Sequence, residues 1–221
     1  MQILDFTLTI SPDMPGLWPG DPIPSFKIIR DHKKDGWQIT LFTMTTHTGT
    51  HMDAPFHIVP ERKNLTSLPI DSFVGEGVVI DVPCDEKHYI TADDIIKSGV
   101  DIKKGDIVFL HTGWGAKWYH VSEKEIFNTR PGLAIDGAEY LVSKGIKAVG
   151  IDCHTISHPD DPQVAPEVSV HKLFMRKDII IVEALTGLDK ALNKRGILAI
   201  GALPLKDADG GPARVFGIFG I

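Results

Sequence analysis

With 221 residues, 43% hydrophobic and 24% charged, the chain can bury a full core as one domain spanning 1–221, and two would be cramped. A formal net charge of −6, with no Lys or Arg run longer than a pair, argues against a nucleic-acid or anionic-membrane partner. Cys84 and Cys153 are too few for a disulfide framework, and neither a signal peptide nor an apolar run of membrane-spanning length is present, so the expectation is a soluble, cytoplasmic protein.

In chain order, residues 2–10 place Leu4, Phe6, Leu8 and Ile10 on one face of a predicted strand. Pro12, Pro15, Pro19, Pro22 and Pro24 then force a loop that presents Leu17-Trp18-Pro19-Gly20-Asp21. Residues 25–29 and 37–46 read as strands joined by the polar turn 31–36, in which His32 is expected to be solvated. Residues 78–82 and 107–110 are short apolar runs of the kind expected in buried strands. Between them Thr91-Ala92-Asp93-Asp94 opens a helix that Gly99 closes, and a further helix is predicted from Ser122 with Glu125 as its capping partner. A helix over 135–144, stopped by Gly145, leads into a strand over 148–152, and 167–175 looks helical. The strand 179–183 ends in Glu183, and 197–205 and 214–221 close the chain around a predicted Asp209-Gly210-Gly211-Pro212 turn. Helices and strands in this order predict an α/β fold, a mixed, mainly antiparallel sheet with flanking helices.

The densest chemistry lies in His47-Thr-Gly-Thr-His51-Met-Asp53-Ala-Pro-Phe-His57. Imidazole nitrogens and a carboxylate suit zinc or manganese. A straight strand would hold His47 and His57 roughly 33 Å apart at about 3.3 Å per residue, and Gly49 and Pro55 make a poor helix. The segment must therefore curl, with Gly49 and Pro55 as its bends, so that His47, His51 and Asp53 converge and His57 swings back from beyond Pro55. Asp152, His154, His158, Asp160 and Asp161 form a second polar cluster, but Pro159 and Pro162 make it a loop, and a gating or solvated loop is the favoured reading.

The pattern His47-x-Gly49-Thr50-His51-x-Asp53-x-Pro55-x-His57 resembles the signature of the metal-dependent cyclase family, which includes bacterial kynurenine formamidases and isatin hydrolases, and all seven fixed positions are present. The resemblance implies a swivelling β/β/α domain, one or two divalent ions per chain (zinc foremost, manganese second), and homo-oligomers. It also implies that His171 and Glu183, twelve positions apart, complete the metal shell. An acid ending an apolar strand is costly unless it is paired or binds metal, which agrees. By itself Trp18 reads as a plug at a core edge; the resemblance implies instead that it contacts the substrate, as the tryptophan of a similar Trp-Pro-Gly-Asp element does. One departure is Ala184, where many relatives carry Asn. The implied activity is hydrolysis of a carbon–nitrogen amide bond in a small aryl formamide. A metal would acidify water from a pKa of 15.7 to about 7, and His57 would protonate the amine. Opening of a cyclic amide, imide or lactone is the alternative on the same site, and a closed, non-catalytic metal site is the other.

Overall fold

The computed structural model describes residues 1–12, 14, 20–120, 128–160 and 169–220. The expected N-terminal strand is cut short as β1 (Gln2–Asp5), because beyond it Thr7 makes only an isolated bridge, to Leu185. Strands β2 (Ser25–Arg30) and β3 (Ile39–Thr43) form a separate hairpin. Its connection is not a plain turn: Asp31 accepts from the Lys33 and Lys34 N–H groups and caps a one-turn helix, α1 (His32–Asp35), that Gly36 ends at φ 79°. His32 is exposed, as expected. The short β4 (His51–Asp53) and β5 (Val74–Asp81) follow. After β6 (Tyr89–Ile90), α2 (Ala92–Lys97) starts with a complete capping box between Thr91 and Asp94. The remaining elements are β7 (Ile107–His111), β8 (Gly132–Leu133), α3 (Ile135–Ser143), β9 (Ala148–Ile151), α4 (Val170–Met175), β10 (Ile180–Glu183), β11 (Arg195–Ala202) and β12 (Gly210–Phe219). The helix expected at Ser122–Glu125 lies outside the described residues, as does Trp18.

The architecture is α/β, and the large sheet closes on itself. Its order is β1-β12-β11-β5-β7-β9-β10-β4, and β4 pairs again with β12. Strand β12 is long enough to share one edge, giving Gly210–Pro212 to β4 and Phe216–Phe219 to β1. The ladders β5–β7, β7–β9 and β9–β10 are parallel and the others in this sheet antiparallel.

Closure explains the unbroken apolar runs, since alternate residues are buried on opposite faces. Val79, Ile107, Phe109, Ala148, Ile180 and Val182 join Phe6, Met52, Leu198, Val215 and Phe219 in one core, inside the ring. Val78, Ile80, Val108, Leu110, Val149 and Ile181 point outward into a second core with α2, α3 and α4.

One expectation is overturned at residues 209–212. Gly210, Gly211 and Pro212 do not form a turn; they open β12, opposite Asp53, Met52 and His51. The glycine serves close approach rather than chain reversal, because a Cβ on Gly210 would lie 2.5 Å from the Met52 carbonyl oxygen. Among the described residues no helix is long and apolar enough to cross a membrane.

Candidate metal centre and active site

Strand register builds the centre. Met52 points into the ring, so His51 and Asp53, one residue to either side, face outward together. The β4–β10 pairing sets Glu183 directly across from His51 and Ile181 across from Asp53, which brings both carboxylates and one imidazole to a single patch. His47 arrives from the loop before β4, where Gly49 takes φ 62°; a Cβ there would be strained and would lie 2.8 Å from Ile10 Cγ1. His57 ends the single 3₁₀ turn Pro55–His57 and swings back as the curl requires. His171 comes from the first turn of α4.

The five groups converge. His47 Nδ1 is 2.8 Å from Asp53 Oδ1, His51 Nε2 is 3.3 Å from the same oxygen and 3.6 Å from Glu183 Oε2, and His171 Nε2 is 3.2 Å from Glu183 Oε1. These approaches are not aligned as hydrogen bonds at the centre: buried His51 Nε2 and Asp53 Oδ1 have no hydrogen-bond partner. Leaving such atoms unpaired costs about 1–3 kcal/mol each, unless a cation occupies the point they face. The far atoms, by contrast, are tied down. His51 Nδ1 donates to the Gly49 carbonyl (2.8 Å), His171 Nδ1 pairs with Ser157 Oγ (2.8 Å), and Glu183 Oε1 accepts from the Ile156 N–H (2.7 Å). Imidazoles fixed through one nitrogen with the other turned inward are what a metal shell needs. Two sets of three, His51/Asp53/Glu183 and His47/Asp53/His57, each bring their donor atoms within 4.8 Å of one another, and Asp53 belongs to both. The residues therefore fit one or two divalent ions.

The charges are strongly coupled. Burial alone would lower the His47 ring, but Asp53 and then Asp209 push it up to about 9. Burial likewise opposes charge on His171, yet Asp53 and Glu183 raise it to about 10. Asp53 is fully enclosed, which works against ionisation, but His171 and His47 hold it well below the ordinary carboxylate range. A divalent cation would stand in for the protons on His47 and His171, so binding would release them. His57 is lowered, first by burial and then by the charge of His47, against the pull of Asp53.

A cavity of about 280 Å³ opens over the centre, lined by Asp21, Thr45, His47, Asp53, His57, Thr155, His171 and Glu183. A larger depression of about 430 Å³ beside β1 and β12 lacks such a cluster; Asp5 and Arg214 pair there with each other. Asp21, Thr45 and Thr155 were not expected at the site; Asp21 closes the Trp18-Pro19-Gly20-Asp21 element, whereas nothing local marks Thr45 and Thr155. Asp209 was missed too: its Oδ2 lies 2.9 Å from His47 Nε2 and 3.2 Å from His57 Nδ1, and its Gly-Gly-Pro sequel disguised it as a turn residue.

Most of the second polar cluster is enclosed rather than solvated, with Asp160 at its exposed end. Asp152, His154 and His158 are buried. Asp152 accepts from Thr112 N and Oγ1, Gly113 N and Gly115 N, and burial still raises its pKa. His158 Nε2 donates to the Lys87 carbonyl, Nδ1 accepts from Asp160 N, and the ring stacks 3.5 Å from Tyr89. Asp161 and Pro162 lie outside the described residues. Ala184, the departure from the family pattern, sits at φ 55°, a left-handed conformation in which Asn is enriched.

This geometry can be set beside known proteins. The model of the Cyclase family matches residues 4–158. The chain belongs to the Cyclase family. A kynurenine formamidase of Bacillus mycoides (strain KBAB4) is 30% identical over 217 residues, covering 96% of this chain and 95% of its own. Among solved structures, an isatin hydrolase bound to the product analogue thioisatinate superposes with a TM-score of 0.89, at 24% identity, over 99% of this cyclase-family chain and 92% of that one. That likeness is one of fold. A structure described as a potential metal-dependent hydrolase with cyclase activity is 28% identical, with a TM-score of 0.77, over 98% and 96% of the two chains.

Proposed function

We propose that this protein is a metal-dependent hydrolase of carbon–nitrogen amide bonds, acting on a small aryl formamide of the N-formylkynurenine kind. The observation that carries the reading is the pair of buried, unpartnered atoms, His51 Nε2 and Asp53 Oδ1, at the meeting point of three histidines and two carboxylates beneath an open cavity. His47, His51, Asp53, His171 and Glu183 hold the metal, zinc foremost and manganese second. Bound there, a divalent metal supplies a Lewis acid that acidifies water and polarises a carbonyl. His57, with 29% of its side chain exposed at the cavity edge, passes the proton to the departing nitrogen. Trp18 remains the proposed contact for the aromatic ring. Kynurenine formamidase relatives aligned over nearly the whole chain support the linear formamide, and the isatin hydrolase fold keeps the cyclic amide as the second reading.

A closed, non-catalytic metal site is disfavoured by the cavity and by a donor set larger than four. We also infer a homo-oligomer, because β2 and β3 are exposed along their length and carry Phe26, Ile28, Leu41 and Phe42. A monomer at micromolar concentration in sedimentation would overturn that. A cytoplasmic location fits two free cysteines whose thiols are raised by burial, Cys84 up to about 12. The deciding experiment is metal analysis of protein purified without chelator, paired with hydrolysis of N-formylkynurenine and isatin before and after metal removal. Metal-loaded protein that opens neither substrate refutes the reading.

A further inference from the structure

Asp209 meets the site from the outer side of His47, on the ring nitrogen opposite the one beside Asp53, and its contacts are specific. Oδ2 takes both His47 Nε2 (2.9 Å) and His57 Nδ1 (3.2 Å), while Oδ1 accepts from Thr46 Oγ1 (3.0 Å). Its main chain is anchored as well, since the Ala54 N–H donates to the Asp209 carbonyl (2.8 Å). A carboxylate accepts and never donates when ionised, so each imidazole must present an N–H to it. That fixes two tautomers from one atom. With a metal bound, His47 would keep its hydrogen on Nε2 and turn the Nδ1 lone pair inward, to the side where Asp53 lies 2.8 Å away. His57 carries its hydrogen on Nδ1 and leaves Nε2 free. The two rings are neighbours, their centroids 4.2 Å apart, so neither can turn without disturbing the other.

We propose that Asp209 is a positioning residue that locks the tautomers of the metal ligand His47 and the proton carrier His57 together, so that metal binding and proton transfer depend on the same carboxylate. The idea rests on the proposed hydrolysis for the second half of its role. As water adds its oxygen to the carbonyl carbon, His57 Nε2 takes a water proton. As the carbon–nitrogen bond breaks, its electron pair stays on nitrogen, and the same proton passes from Nε2 to that nitrogen. The imidazolium formed in between keeps its Nδ1–H on Asp209 throughout, so the ring does not turn between taking the proton and giving it.

The test uses the full chain with zinc as the probe. In Asp209→Ala the zinc dissociation constant, measured by competition with a chelating dye, should rise about 10- to 100-fold, the usual effect of removing the partner of a metal-bound histidine. Nitrogen-15 NMR of the zinc-loaded protein should show His57 as the Nδ1–H tautomer in the wild type and no longer so in the variant. Asp209→Asn, which keeps an acceptor oxygen in the same place, should restore that tautomer. Asp209→Leu replaces the alanine variant if the latter fails to fold. With formamide substrate and saturating zinc, adding His57→Ala to Asp209→Ala should cost less than His57→Ala costs alone. Unchanged zinc affinity, or an unchanged His57 tautomer, overturns the proposal. Protein that shows both the affinity change and the tautomer change yet hydrolyses no amide refutes the reaction and supports the positioning role.

Discussion

Two clusters of histidine and aspartate sit within one fold, and they come to opposite ends. Around Asp152 and His158 the polar atoms are spent on the protein itself: the carboxylate is saturated by Thr112, Gly113 and Gly115, and His158 uses both ring nitrogens on main-chain partners. In the Asp53 cluster the outer atoms are satisfied and the inner ones, His51 Nε2 and Asp53 Oδ1, are not. Residue type does not separate the two. What separates them is whether lone pairs are spent on neighbouring N–H groups or aimed together at a point no protein atom fills. The loop after Asp152 also braces the other site: it supplies the Ile156 N–H to Glu183 and the Ser157 hydroxyl to His171.

The contrast is tested most severely at Asp53, which both sets of donors share. Asp53→Ala should lose metal and turnover together, by more than the 10- to 100-fold that roughly marks an outer-shell change, while the protein still folds. Elemental analysis and a formamide assay check it; full metal occupancy in the variant would place the ion elsewhere. His57→Ala should keep its metal and lose about 10² to 10⁴-fold in kcat, less for an ester with a nitrophenolate leaving group that needs no proton. If it loses metal as completely as His51→Ala, His57 is a ligand.

The Asp152 cluster should answer in stability instead. Asp152→Ala strands Thr112, Gly113 and Gly115 N–H groups, at about 1–3 kcal/mol each if they stay dry, so a loss of roughly 3 kcal/mol or more is expected in denaturant titrations. Zinc bound per folded molecule should not change. Chelation should reverse the pattern: it removes about 2.7 kcal/mol when free metal stands at 100 times its dissociation constant, and added zinc restores the melting temperature. Smallest is His158→Gln, expected to cost about 1 kcal/mol for an imperfect replacement of the Lys87 contact, with kcat and metal content as in the wild type. A metal deficit in that variant would join the two clusters into one site.

Sequence alone determined the elements whose signals are local. Thr91 and Asp94 cap α2, Gly145 ends α3, and the runs at 107–110 and 179–183 are strands, because caps and apolar runs act within a few residues. It also located the curl of His47, His51, Asp53 and His57, since spacing and two bend residues leave few ways to bring them together. Tertiary structure decided the rest. Closure of the sheet depends on β4 finding both β10 and β12, pairings that span more than 120 residues and carry no local mark. The same closure turned the Gly210-Gly211-Pro212 segment from a turn into a strand and carried Asp209 to His47 and His57. It also set the fate of the two polar clusters, because satisfaction of a lone pair depends on which distant N–H arrives beside it. No periodicity in the chain records that.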